Sequence, residues 1–159
     1  MIAFVIPVAL LAGGMAAGGL MISALGGAPM LLSLSVENYL AVHKGFIGRF
    51  DPFMPICICT AGLCDIILAI AVPTAGAHVL ETIGAALYLS TVSVSLTKNV
   101  PINHWIITLD PERPPANWDE IDPRVRWRNW NLVRTTLAVL ALIVNVAAVG
   151  LLMRASVLP

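Results

Sequence analysis

No charged side chain occurs before Glu37. The run from Met1 to Val36 is 36 residues long, and a helix needs only roughly 20 mostly apolar residues to cross a bilayer. Three later stretches have the same character, at about 52–72, 77–96 and 131–153. With a first span at about 2–27, they predict an all-α integral membrane four-helix bundle forming a single domain over residues 1–159. The amphipathic segment 31–50, carrying Glu37, His43, Lys44 and Arg49, predicts an interfacial helix after the first span. Asp51-Pro52 reads as a helix-start pair, because Asp caps well and Pro suits the first turn. Residues 98–129, with five prolines, form a polar connector before the last span.

The composition agrees, with 58% hydrophobic and 11% charged residues, against about 25% charged in a soluble domain. Net charge is zero and no basic run occurs, so there is no nucleic-acid footprint. No Lys or Arg precedes the first apolar run, which does not fit a secretory signal, so a retained helix is expected. Cys57, Cys59 and Cys64 lack zinc or thioredoxin spacing and read as small apolar helix residues. Gly14 and Gly18 form a GxxxG pair that favours close helix packing and makes a homo-oligomer reasonable.

Lys and Arg set the expected orientation. Lys44 and Arg49 lie in the first connector, whereas Lys98, Arg113, Arg124, Arg126, Arg128 and Arg134 lie in or beside the third. Those two connectors are therefore expected on the cytoplasmic side of a plasma (inner) membrane, with both termini outside.

Polar residues inside the spans are costly, so their placement is informative. On the third helix Glu81, Tyr88, Thr91, Ser95 and Asn99 fall on one face; on the fourth, Trp127, Asn131, Arg134 and Asn145 do the same, with Ala138 and Ala141 between. Two such stripes line a cavity or hydrogen-bond the helices together. At a rise of about 1.5 Å per residue, Asp65, Asn145 and Tyr88 are expected to meet near mid-membrane. Glu81 and His78 are expected at a solvated outer rim. A second group, His43, Asn99, Asn103, His104, Trp127, Trp130 and Arg134, is expected at the cytoplasmic mouth. Trp118 and Trp130 read as interfacial anchors. A metal set of His43, His104 and one carboxylate is the minimal alternative, without supporting spacing, and haem is no better signalled.

Two motifs carry a resemblance: Asn99-Val100-Pro101-Ile102-Asn103, expected to close the third helix, and Trp127-Arg128-Asn129-Trp130-Asn131-Leu132-Val133-Arg134-Thr135, expected to open the fourth. With the Gly-rich first helix, Ala28-Pro29 and Asp51-Pro52-Phe53, the chain resembles the anthrone oxygenase family of small four-helix membrane proteins (DUF1772) over nearly its whole length. It departs at Leu132, where some relatives have His. The resemblance implies oxidation of a lipophilic, anthrone-type aromatic with O2, without an obvious cofactor. His43 would be the base, and Arg134 with Asn99 and Asn103 the oxyanion partners. Trp127 and Tyr88 would form flat walls, and Asp65 would orient a partner or relay a proton; Asn131 and Asn145 complete the expected lining. The alternatives are a small-molecule binding or transport protein and a non-catalytic accessory subunit. No convincing repeat relates residues 1–75 to 76–159, although transporters often show one.

Overall fold

The computed structural model describes residues 1–157, and every regular element among them is helical. Helix α1 (Ile2–Ile22) passes through a π-helical turn, Ser23–Gly27, into α2 (Ala28–Ser33). After a short break, α3 (Val36–Phe50) packs against α2 and the following α4 (Phe53–Ala71). Helix α5 (Ala75–Val94) passes through a second π turn, Ser95–Asn99, into α6 (Val100–Thr108), which also packs against α3. A one-turn helix α7 (Trp118–Ile121) precedes α8 (Arg124–Val157). Four segments are long and apolar enough to cross a membrane: Ile2–Ser33, Phe53–Ala71, Ala75–Thr108 and Trp118–Ala155. The chain is an integral membrane protein.

Burial is inverted relative to a water-soluble domain. Phe4, Leu11, Leu25, Ile70, Leu89 and Ile143 face outward. The interior holds small residues such as Ala16, Ala61, Ala138 and Ala141, together with His43, Asp65, Glu81, Thr91, Asn99, Asn131 and Asn145. Lipid tails are as apolar as leucine, so nothing drives large side chains inward. Small residues instead let the backbones approach, and polar ones bond across the helices.

The helices overrun the sequence boundaries where proline and charge suggested ends. Pro29 and Pro101 each fall just after a π turn, in the first turn of the segment that follows. There the missing N–H costs least, and the turn before it absorbs the clash a proline makes within a helix. In both turns the i→i−5 bond ends on a serine: Ala28 N–H donates to the Ser23 carbonyl and Val100 N–H to that of Ser95. The spacing Ser-x5-Pro thus occurs in both odd-numbered spans. The Asn99–Asn103 motif therefore lies within the third span rather than closing it. The last helix begins at Arg124, because a charged turn leaving the membrane is still a good helix.

Other local expectations change as well. Asp51 terminates α3, and α4 starts at Phe53 with no side-chain cap. Trp118 is buried rather than anchored at the interface. It stacks on Trp105 at 6.0 Å between ring centres and meets Tyr39 at 5.7 Å. Trp130 stays half-exposed beneath Lys98, whose Nζ lies 5.1 Å from its ring. The first and third connectors pack together at one end. Arg124 donates to the Leu34 carbonyl at 2.8 Å, pairs with Asp122 at 2.6 Å and covers the Tyr39 ring, while Lys44 donates to the Leu109 carbonyl.

The glycines that pack the bundle are not the GxxxG pair. Gly14 and Gly18 have no other-helix atom within 4 Å of a built Cβ. A Cβ on Gly84 would instead stand 2.5 Å from both Asn145 Oδ1 and Asp65 Oδ2. We expect Gly84→Ala to destabilise the bundle by about 1–3 kcal/mol, as overpacking does, and Gly18→Ala to stay within about 0.5 kcal/mol. Thermal unfolding of the two variants in one detergent checks this; equal melting points would contradict the packing described.

Candidate functional site

Beneath α3 lies a cavity of ≈ 250 Å³. Its walls are mostly apolar: Leu20, Leu31, Phe46, Phe50, Met54, Ile58 and Val92 contribute, from helices α1 to α5. Its polar wall consists of His43, Asp51, Ser23, Ser95, Cys59 and Arg134, with Trp127 beside them.

His43 reaches the cavity from the amphipathic helix above it. Its Nδ1 and the Tyr39 hydroxyl lie 2.9 Å apart, one helical turn away on α3. Its Nε2 is buried and has no hydrogen-bond partner. The imidazole meets Trp127 edge-on at 4.7 Å. Burial pushes its pKa down from 6.5 to about 4; the Arg134 charge acts in the same direction, and the neighbouring Asn103 side chain opposes in part. The Asn103 oxygen is itself occupied, because it accepts from Trp127 Nε1 at 2.8 Å.

Trp127 is fixed from two sides. Besides Asn103, Asn99 donates from Nδ2 to the Trp127 carbonyl at 3.1 Å. That contact brings the second π turn onto the start of α8. Arg134 is fixed in the same manner. Its Nε donates to Asn131 Oδ1 at 3.0 Å and its Nη1 reaches Ser95 Oγ at 3.5 Å, while Asn131 Nδ2 donates to Ser23 Oγ at 3.2 Å. Both π-turn serines therefore belong to the support of one guanidinium. Among the described residues the only ion pair is Arg124–Asp122, so Arg134 has no carboxylate within 4 Å. Asp51, also on the cavity wall, is the carboxylate whose charge acts on it.

Of the expected residues, His43, Trp127 and Arg134 line the cavity. Asn99, Asn103 and Asn131 stand behind them as supports. Tyr88, Asp65 and Asn145 are not on the cavity wall; they form a separate buried cluster between α4, α5 and α8. There Asn145 Nδ2 donates to Asp65 Oδ1 at 2.9 Å. Glu81 belongs to this cluster rather than to a solvated rim, since it is only 1% exposed. His78 is exposed, with Nδ1 against the Ala69 carbonyl. The alternative metal set does not assemble: His104 is exposed on α6, and no three His, Cys, Asp or Glu side chains converge among the described residues. Sequence reasoning had Ser95 on a polar stripe but missed Ser23, and read Asp51 only as a cap. The signal available was the Ser-x5-Pro spacing, which marks the two turns that flank the cavity.

A mostly apolar cavity inside a four-helix membrane bundle, with one guanidinium and one imidazole among its lining residues, defines the class. Within it, the chain belongs to the anthrone oxygenase family, which it matches over residues 45–144. That stretch includes Asn99, Asn103, Trp127, Asn131 and Arg134, while His43 falls just before it. No curated protein and no solved structure matches the chain.

The His43 environment has a consequence for stability. Unfolded, the imidazole ionises near 6.5; folded, near 4. Between those values the unfolded chain binds a proton that the folded chain does not. The stabilisation is therefore complete above about pH 6.5 and is lost as pH falls toward 4, on the order of 3 kcal/mol. Melting temperature against pH should fall more steeply in wild type than in His43→Gln across that window. Parallel curves would show that His43 is not held neutral.

Proposed function

We propose that this protein is an oxygenase that converts a lipophilic, anthrone-type aromatic and O2 into a quinone and water. The observation that carries the reading is the pairing, on one apolar cavity wall, of Arg134 with His43, whose buried Nε2 has no hydrogen-bond partner. Membership of the anthrone oxygenase family supports it.

An anthrone carries one carbonyl and, across the central ring, an acidified methylene. With its carbonyl oxygen at Arg134, ionisation of the methylene places negative charge on that oxygen, where the guanidinium stabilises it. His43 accepts the proton at Nε2, using the tautomer in which Nδ1–H donates to Tyr39. A neutral imidazole of low basicity beside a fixed cation is a weak base alone. The oxyanion formed in the same step offsets the Arg134 charge, so proton transfer leaves the net charge of the site unchanged. The electron-rich anion then passes one electron to O2, and the two radicals combine at the former methylene carbon. The protonated His43 returns its proton to the peroxide anion so formed, and loss of water from the resulting hydroperoxide leaves the second carbonyl, so one oxygen atom stays and the other departs in water. Trp127 supplies a flat wall, and both O2 and the aromatic partition favourably into a lipid-embedded pocket. From the Lys and Arg asymmetry, we place this end of the bundle at the cytoplasmic face of a plasma membrane.

Purified protein in detergent should accelerate quinone formation from a simple anthrone in air. Arg134→Ala should lower kcat/KM by about 100-fold or more, and His43→Gln by a similar factor. Both variants serve as controls for spontaneous oxidation. Wild-type rates equal to those of both variants would contradict the assignment.

A further inference from the structure

We propose that Asp65 and Asn145 form a proton-binding site in the membrane interior, separate from the cavity. In it Asp65 is a carboxylic acid whose O–H donates to Asn145 Oδ1.

Asp65, on α4, has no measurable exposure, and Asn145, on α8, is 2% exposed. One edge of the pair is already closed by the 2.9 Å bond from Asn145 Nδ2 to Asp65 Oδ1. The other edge is Asp65 Oδ2 and Asn145 Oδ1, both buried and both without a hydrogen-bond donor. Each lies 2.5 Å from the same point, where a Cβ on Gly84 would stand, so they face the same helix surface together. With Asp65 ionised, that edge sets acceptor against acceptor. One proton on Oδ2 supplies the missing donor and completes a two-bond acid–amide ring. Both orphaned oxygens are then satisfied, which buried polar groups require.

The surroundings supply no charge to hold an ionised Asp65. Helix α1 carries no titratable side chain. The stripe of α8 that meets α5 contributes Asn145, and Arg154 lies exposed two turns beyond it. On α4 the neighbour is Cys64, and on α5 the titratable neighbours are Glu81 and Tyr88, with His78 further out against Ala69. Glu81 adds a second buried carboxyl with an unpartnered oxygen, Oε2. Two ionised carboxylates here would repel each other with no cation between them, at a cost this interior does not offset. The Gly84 backbone occupies the space directly over the two free oxygens, which suits a proton better than a metal ion.

The ligand of this site is thus a proton, taken up at Asp65 and shared with Asn145. The site ties the middle of α4 to α8 beside Gly84 of α5, two turns or more along α5 from the cavity-lining Val92 and Ser95. It stands independently of the oxygenase reading, because nothing in it depends on a substrate.

Infrared spectroscopy of the purified protein near neutral pH tests this directly. The wild type should show the carbonyl stretch of a protonated, hydrogen-bonded carboxylic acid. Asp65→Asn, which keeps the shape and can still pair with Asn145, should lose it. Glu81→Gln should retain it, and Asn145→Leu should retain it shifted upward, as for an acid that donates to nothing. A spectrum showing only carboxylate bands, or an acid band unchanged in Asp65→Asn, would overturn the proposal. So would an acid band that sodium ions convert to carboxylate, since the site would then be one for a metal cation.

Discussion

A guanidinium inside a hydrocarbon layer must be solvated by the protein itself, and the architecture around Arg134 follows from that requirement. Its donors go to Asn131 on its own helix and to Ser95 at the head of one π turn, and Asn131 reaches Ser23 at the head of the other. Two wide turns, in two separate spans, thereby meet α8 at one level. Each is followed by a proline, which prevents the span from running on as a regular α-helix. The cavity opens at this level, below α3.

The same inversion of polarity governs the rest of the bundle. Alanines and glycines bring the backbones together, and polar residues placed between the helices bond across them. The interior therefore has two polar zones rather than one. The zone at the connector end holds cationic Arg134 and the buried His43 imidazole beside a void. The other, between α4, α5 and α8, is packed shut around Asp65, Asn145 and Glu81. A void beside a charge has room for a molecule; a closed acid–amide contact has room only for a proton. That difference separates residues that the period of the helix had placed on common stripes.

Much of this was legible in the sequence. Apolar runs of bilayer length pointed to four spans, and the 3.6-residue period put Asn99 and Glu81 on one face and Trp127, Asn131, Arg134 and Asn145 on another. The meeting of Asp65 with Asn145 followed from rise per residue alone. The helix ends were not legible, because Pro101 reads as a terminator unless the preceding π turn is known. Glu81 looked like a rim residue because it lies less than two turns from the start of α5, but nearness to a helix end does not decide burial, and its side chain is buried. Asp51 looked like a cap for the next helix, whereas its place on the cavity wall depends on how α3 packs against the bundle. Asn99 and Asn103 were correctly drawn to the same end, but they hold Trp127 and so shape the wall without forming it. Distinguishing a lining residue from its support needs side-chain direction, which spacing does not supply.

The chemistry assigned to the cavity needs little from the protein: a place for one polar oxygen, a nearby proton acceptor, and an apolar volume for flat rings. Arg134, His43 and the Phe46, Phe50 and Trp127 walls provide those elements within one void. The most direct measurement is an experimental structure of the protein with a bound anthraquinone, the product class. The account predicts a ring system under α3 with one carbonyl oxygen accepting from the Arg134 guanidinium and the opposite carbonyl toward His43 Nε2. A quinone bound elsewhere, with Arg134 still engaged only by Asn131 and Ser95, would contradict it.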